Sequence, residues 1–163
     1  MKLIFLRHGL AEGHFSFNQD KDFERELTSE GKKRLQKTLK VFKNYQSSVD
    51  VIFTSPLVRA VQTAEFMWTH YRASDLEIMA DLDVLEDPKK LVEYISFLPS
   101  DGCYVFVGHE PHLSLVITSL LSLESGPEFL NIKKGGICVL EGGMWKGFKL
   151  ELLLSPKFLR EAT

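Results

Sequence analysis

Arg7-His8-Gly9 follows the apolar run Lys2-Leu3-Ile4-Phe5-Leu6, so a cation, an imidazole and a residue without a side chain stand together at a strand's carboxyl end. Open α/β sheets bind their ligands at that edge. A fixed guanidinium can clamp phosphate oxygens at two points, a neutral imidazole can attack phosphorus, and glycine lets the backbone approach an anion with no Cβ in the way. Together the three describe a phosphoryl-transfer site. Taken alone, each has a plainer reading: an arginine in a surface ion pair, or a histidine satisfied near the core.

Three further segments strengthen the chemical reading. Thr54-Ser55-Pro56-Leu57-Val58-Arg59-Ala60-Val61-Gln62-Thr63-Ala64 follows the apolar Val51-Ile52-Phe53. Val107-Gly108-His109-Glu110-Pro111 follows Tyr104-Val105-Phe106, and Arg25-Glu26-Leu27-Thr28-Ser29-Glu30-Gly31 opens an amphipathic stretch. With these the chain resembles the histidine phosphatase superfamily, and within it the short phosphohistidine phosphatases of the SixA type. The resemblance runs from the first strand to Lys133-Lys134-Gly135-Gly136, with the elements in the family's order. It implies a phosphoglycerate mutase-like fold, with His8 as the nucleophile that forms a covalent phosphohistidine for water to hydrolyse. It also implies phosphate-binding roles for Arg7, Arg59 and His109. Gly9, Ser55, Arg25 and Gly108 are further substrate-binding candidates. Arg25 and Thr28 match the family's Arg-x-Leu-Thr element, although Thr28 reads equally well as a helix cap, and so does Ser55.

Glu86 is the candidate general acid, carried on the short segment Asp81-Leu82-Asp83-Val84-Leu85-Glu86-Asp87-Pro88 where many superfamily members have an insertion; a solvated turn is the alternative. Phosphoimidazole is a far better leaving group than an alkoxide and needs less proton donation. The compact chain without a cap therefore suits a phosphorylated protein side chain, such as that of a histidine phosphotransfer domain, better than an enclosed metabolite. A small-molecule phosphomonoesterase is the alternative function, and a noncatalytic phosphoprotein-binding module is a third. No cofactor is expected. A metal site would enlist His8, His109 and His112, but no His-x-x-x-His pair supports it. His14 and His70 have no assigned role.

The elements that must position these residues are legible in outline. Residues 2–7, 51–53 and 103–108 are continuous apolar runs, as expected of central parallel strands covered on both faces. A helix is predicted from about Thr28 to Asn44, with Leu35, Leu39 and Phe42 inward. Its opposite face carries Lys32, Lys33, Lys37, Lys40 and Lys43, a solvated surface or a dock for an acidic partner. Ser55-Pro56 reads as N-cap and first residue of a second helix, with Leu57, Val61, Ala64 and Trp68 as its buried stripe. Glu110-Pro111 opens another helix, bearing Leu113, Val116, Ile117, Leu120 and Leu121. Gly135 to Leu154 predicts an antiparallel hairpin turning at Gly142–Gly147. The expected fold is α/β, with a mostly parallel central sheet, helices on both faces and an antiparallel edge. That order brings Arg7, His8, Arg59 and His109 to one sheet edge.

The 163 residues suit a single domain spanning 1–163, and a hydrophobic content of 44% can fill such a core. Net charge of −2 and an isoelectric point near 6.2 give no stripe for nucleic acid or an anionic membrane. With no signal-like or spanning segment, a cytoplasmic monomer is expected. Cys103 and Cys138 lack metal or redox spacing and read as buried, reduced thiols.

Overall fold

A computed structural model describes residues 1–13, 22–71, 73–123 and 129–161. In chain order the elements are β1 (Lys2–Arg7), α1 (Ser29–Tyr45), β2 (Val51–Thr54), α2 (Val58–Tyr71) and β3 (Asp75–Ile78). A 3₁₀ turn (Ala80–Leu82) leads to α3 (Pro88–Ser96), β4 (Cys103–Gly108), α4 (His112–Leu120), β5 (Ile137–Gly143), β6 (Gly147–Leu154) and α5 (Pro156–Glu161).

The three apolar runs become the middle of one six-stranded sheet of order β3-β2-β4-β1-β5-β6. β1, β2, β3 and β4 run parallel, while β5 and β6 pair antiparallel as the predicted hairpin. Alternate residues of each central strand feed opposite faces. Ile4, Leu6, Ile52, Val105 and Val107 pack under α1 and α2. Leu3, Phe5, Phe53 and Phe106 pack under α3 and α4, where Phe106 stacks on Phe5 and Phe53 with ring centroids 5.5 and 5.3 Å away. The expected three-layer α/β architecture is the observed one.

Capping follows local chemistry. Thr28 accepts the Gly31 N–H at 2.9 Å at the start of α1, and Asp87 accepts the Lys89 N–H at 3.0 Å ahead of Pro88. Two details differ from the sequence reading. α2 starts at Val58, because the Leu57 carbonyl, not that of Ser55, accepts the first helical N–H groups, those of Ala60 and Val61. Its inward face is Ala60, Ala64, Met67 and Tyr71, which leaves Trp68 47% exposed. β3 has no counterpart in the sequence reading. Both cysteines are free, and burial pushes their thiols up, Cys103 to about 11 and Cys138 to about 12.

Candidate active site

The register of β1 against β4 builds the site. Arg7 lies opposite Gly108, so the next residues, His8 and His109, leave the sheet side by side. The His8 N–H still donates to the Gly108 carbonyl at 3.0 Å, and the two imidazoles stand with centroids 5.0 Å apart, tilted by 49°. From the other side of β4, the Ser55 N–H donates to the Val107 carbonyl at 3.0 Å. The Ser55 hydroxyl then sits 2.8 Å from His109 Nε2. Arg59, in the first turn of α2, completes the group, and His8, Arg59 and His109 are all at most 5% exposed.

His8 is oriented by its own neighbour. Its Nδ1 lies 2.8 Å from the Gly9 carbonyl, an acceptor only, so Nδ1 carries the proton and Nε2 keeps the lone pair. Gly9 is fixed in turn, since its N–H donates to Thr63 Oγ1 at 3.0 Å while that hydroxyl donates to the Arg59 carbonyl at 2.7 Å. One threonine therefore ties the end of β1 to α2 and to the arginine.

Both arginines are anchored through their terminal nitrogens. Arg7 donates from Nη1 to the Ile132 carbonyl at 2.8 Å, and Arg59 from Nη1 and Nη2 to the Asp22 carbonyl and carboxylate at 2.7 and 3.2 Å. Asp22 also holds Arg25 Nε at 2.8 Å. Among the described residues, Arg7 Nε, Arg59 Nε and His109 Nδ1 are buried with no hydrogen-bond partner. Buried polar groups are seldom left so; all three belong to the residues gathered with His8, as an oxyanion would need.

Electrostatics agree. Burial foremost, then Arg59, Arg7 and Lys134, push the His8 imidazole down to about 3 against the opposing Gly9 carbonyl. His109 is pushed to about 2 by burial, then by His8, Arg59, His112 and Arg7. Both rings are neutral at pH 7, and His8 is a free base there. Lys134 is lowered by burial and by Arg7, Arg25 and Arg59, the mark of a crowded cationic patch.

The sequence candidates fare unequally in space. Arg7, His8, Gly9, Ser55, Arg59, Gly108 and His109 come together. Arg25 reaches the site through Asp22, its Nη1 also donating to the Glu12 carbonyl at 2.8 Å, and Thr28 serves as the α1 cap. Glu86 pairs with Lys90 at 2.6 Å in the turn before α3. His112 is 1% exposed, with neither ring nitrogen hydrogen-bonded among the described residues. His70 contacts the Phe66 carbonyl at 2.8 Å at the far end of α2, and His14 lies outside the described residues. Among the described residues no three His, Cys, Asp or Glu side chains are gathered as a metal requires. The sequence reading missed Thr63, Asp22 and Lys134, and also Asp83, which supports the Arg59 and His112 charges from the segment after β3. The carboxylate pairing of Asp22 leaves no motif to read, whereas Thr63, Asp83 and Lys134 lie in segments that the sequence singles out without giving them a role.

Known proteins share the sequence pattern and the fold. The family model for the histidine phosphatase superfamily (branch 1) matches residues 3–86. An uncharacterized protein of Picosynechococcus sp. is 31% identical over 98% of this chain and 99% of its own length. Among solved structures, the protein histidine phosphatase SixA complexed with tungstate superposes with a TM-score of 0.84 at 20% identity, covering 98% of this chain and 99% of that one. A phosphoserine phosphatase from Entamoeba histolytica, in complex with 3-phosphoglyceric acid, gives 0.74 at 19% identity, covering 97% and 98%. At these identities the superpositions establish the fold.

Proposed function

The chain belongs to the histidine phosphatase superfamily, and on that premise we propose that it is a metal-independent phosphatase acting on phosphohistidine in a protein. The observation that carries the reading is His8: a buried, neutral imidazole with Nδ1 held on the Gly9 carbonyl and Nε2 unprotonated beside two arginines.

In the first step, the Nε2 lone pair attacks phosphorus as the substrate's P–N bond breaks. Its electron pair stays on the departing imidazole, which takes a proton from solvent. The phosphorylated His8 ring keeps its Nδ1 proton and gains positive charge, which the Gly9 carbonyl and the phosphoryl oxygens offset. Arg7, Arg59 and His109 neutralise the equatorial oxygens as charge shifts onto them. Water then attacks phosphorus, the P–Nε2 bond breaks, and phosphate leaves with His8 again neutral. The SixA protein solved with tungstate, an oxyanion, shares this fold. His109 is neutral without substrate, and a bound phosphoryl dianion raises its affinity for a proton.

Substrate choice follows from the acid. Glu86 forms a surface pair with Lys90, and Asp83 lies among the charges around Arg59 and His112; we assign neither as an acid for an alkoxide, and a positioned acid is worth ~10²–10⁴-fold. Phosphohistidine protein and phosphoramidate should be hydrolysed faster than sugar phosphates by about that factor, with aryl phosphates between, in a panel assayed at equal concentration. Activity should survive EDTA, and Glu86→Gln should change phosphohistidine turnover little. Efficient sugar phosphate hydrolysis, selectively lost in Glu86→Gln, would establish the small-molecule reading instead. Chelator-sensitive turnover restored by a divalent ion would remove metal independence.

A further inference from the structure

A cavity of about 360 Å³ lies beside the site, with Gly9 and Lys134 in its lining. It opens between the end of β1, the first turns of α1, the 133–135 loop and the start of α5. Among the described residues its lining carries Arg34, Lys133, Lys134 and Lys157 and no carboxylate, in a chain whose net charge is −2. Glu30, on the same turn of α1, pairs with Arg34 Nε at 2.5 Å.

Positive charge alone would describe a solvated surface; two observations point further. Thr38 lines the cavity from the middle of α1, fully buried, and its hydroxyl has no hydrogen-bond partner among the described residues. Helical threonines commonly bond back to the carbonyl four residues earlier. Thr63, Thr69 and Thr118 do so here, to Arg59, Glu65 and Ser114, whereas Thr38 makes no such bond to Arg34. Lys134, moreover, belongs to both sites, because its ammonium feels Arg7, Arg25 and Arg59 and in turn acts on His8. An anion held here is next to the phosphoryl group.

The geometry points to a second anion subsite that receives an acidic side chain flanking the phosphohistidine of a protein substrate, an inference that rests on the function proposed above. An extended chain advances about 3.3 Å per residue, so carboxylates within three residues of the phosphohistidine reach a neighbouring cavity. The lysines attract such a side chain before and during turnover, while the phosphoryl chemistry stays with His8 and the arginines.

The test compares phosphohistidine peptides whose flanking three residues are glutamate, glutamine or lysine, with phosphoramidate as the small P–N control. The acidic peptide should exceed the neutral one by about tenfold in kcat/KM, mainly through KM, with the basic peptide worse again. Lys133→Glu should abolish or reverse that order without changing phosphoramidate turnover, and Thr38→Val should weaken it. Equal turnover of the three peptides, or a preference that survives Lys133→Glu, overturns the subsite. If phosphoramidate is hydrolysed and no peptide is, the subsite and the protein-substrate reading fall together while the phosphatase chemistry stands. A Lys133-dependent gain seen only with a doubly anionic small phosphomonoester likewise overturns it. Should phosphoramidate itself resist hydrolysis, peptide binding to His8→Ala, read by fluorescence anisotropy, decides: acidic peptides binding tighter keep the subsite, and equal binding removes it.

Discussion

At the scale of single residues, the nucleophile depends on bonds it does not itself make. His8→Ala should abolish turnover and keep a wild-type-like circular dichroism spectrum, since the ring ends a strand and crosses no core cluster; normal turnover would remove His8 from the chemistry. Quenched reactions of the parent should carry acid-labile, alkali-stable phosphate on His8, and phosphate on serine or cysteine would contradict the mechanism. Thr63→Val asks the subtler question. It keeps shape but strips the acceptor from the Gly9 N–H and the donor from the Arg59 carbonyl, 3.0 and 2.7 Å away. The Arg59 carbonyl keeps its helical partner, but leaving the buried Gly9 N–H unpaired costs about 1–3 kcal/mol, so the urea midpoint should fall and kcat with it, as Gly9 loosens its hold on Nδ1. Unchanged kcat would mean that Gly9 needs no tether. Arg7, His8, Arg59 and His109 were legible because each follows an apolar run or opens a helix. Thr63 and Asp22 were not, since their roles exist only where a helix and a loop cross in space.

At the scale of elements, the continuous apolar strands announced themselves and the edge did not. β3 reads Asp-Leu-Glu-Ile, short and mostly exposed, so it presents neither a buried run nor a sustained alternation. It became a strand through pairing with β2, a tertiary cause. Ser55-Pro56 had the composition of a helix start, and the Ser55 hydroxyl does accept the Leu57 N–H at 3.3 Å, but it also sits 2.8 Å from His109 Nε2, and α2 begins at Val58. Placement of α1 rests on a glycine. A Cβ on Gly31 would stand 2.0 Å from the Leu10 carbonyl oxygen, a backbone atom that cannot swing aside. Gly31→Ala should therefore push α1 off the end of β1 and cost about 1–3 kcal/mol or more, despite alanine's better helix propensity. Chemical unfolding measures it; a stabilised variant would mean that α1 shifts freely.

At the scale of the whole molecule, one cationic pocket and three buried imidazoles set the response to pH. His8 and His109 are pushed to about 3 and about 2, and His112 is lowered chiefly by burial, with the carboxylates of Asp83, Glu86, Asp81 and Asp87 opposing. In the unfolded chain each titrates near 6.5. Above that value both states are unprotonated and the stability is complete. As pH falls below it the unfolded state takes up protons that the native state refuses, so stability declines by up to ~1.4 kcal/mol per pH unit for each histidine. Asp22, which burial raises and its arginines lower to a net position below 3.8, loses its contribution only near and below that value. The interval from pH 6.5 to 5 thus isolates the imidazoles. His112→Leu, which removes a buried ring with no hydrogen-bond partner among the described residues, should flatten the decline and raise stability at pH 5. Urea unfolding at pH 7.5, 6.5, 5.5 and 5 measures both slopes. A parent protein equally stable at pH 7.5 and 5 would show that the rings protonate in place, and the account of His8 as a free base through that range would go with it.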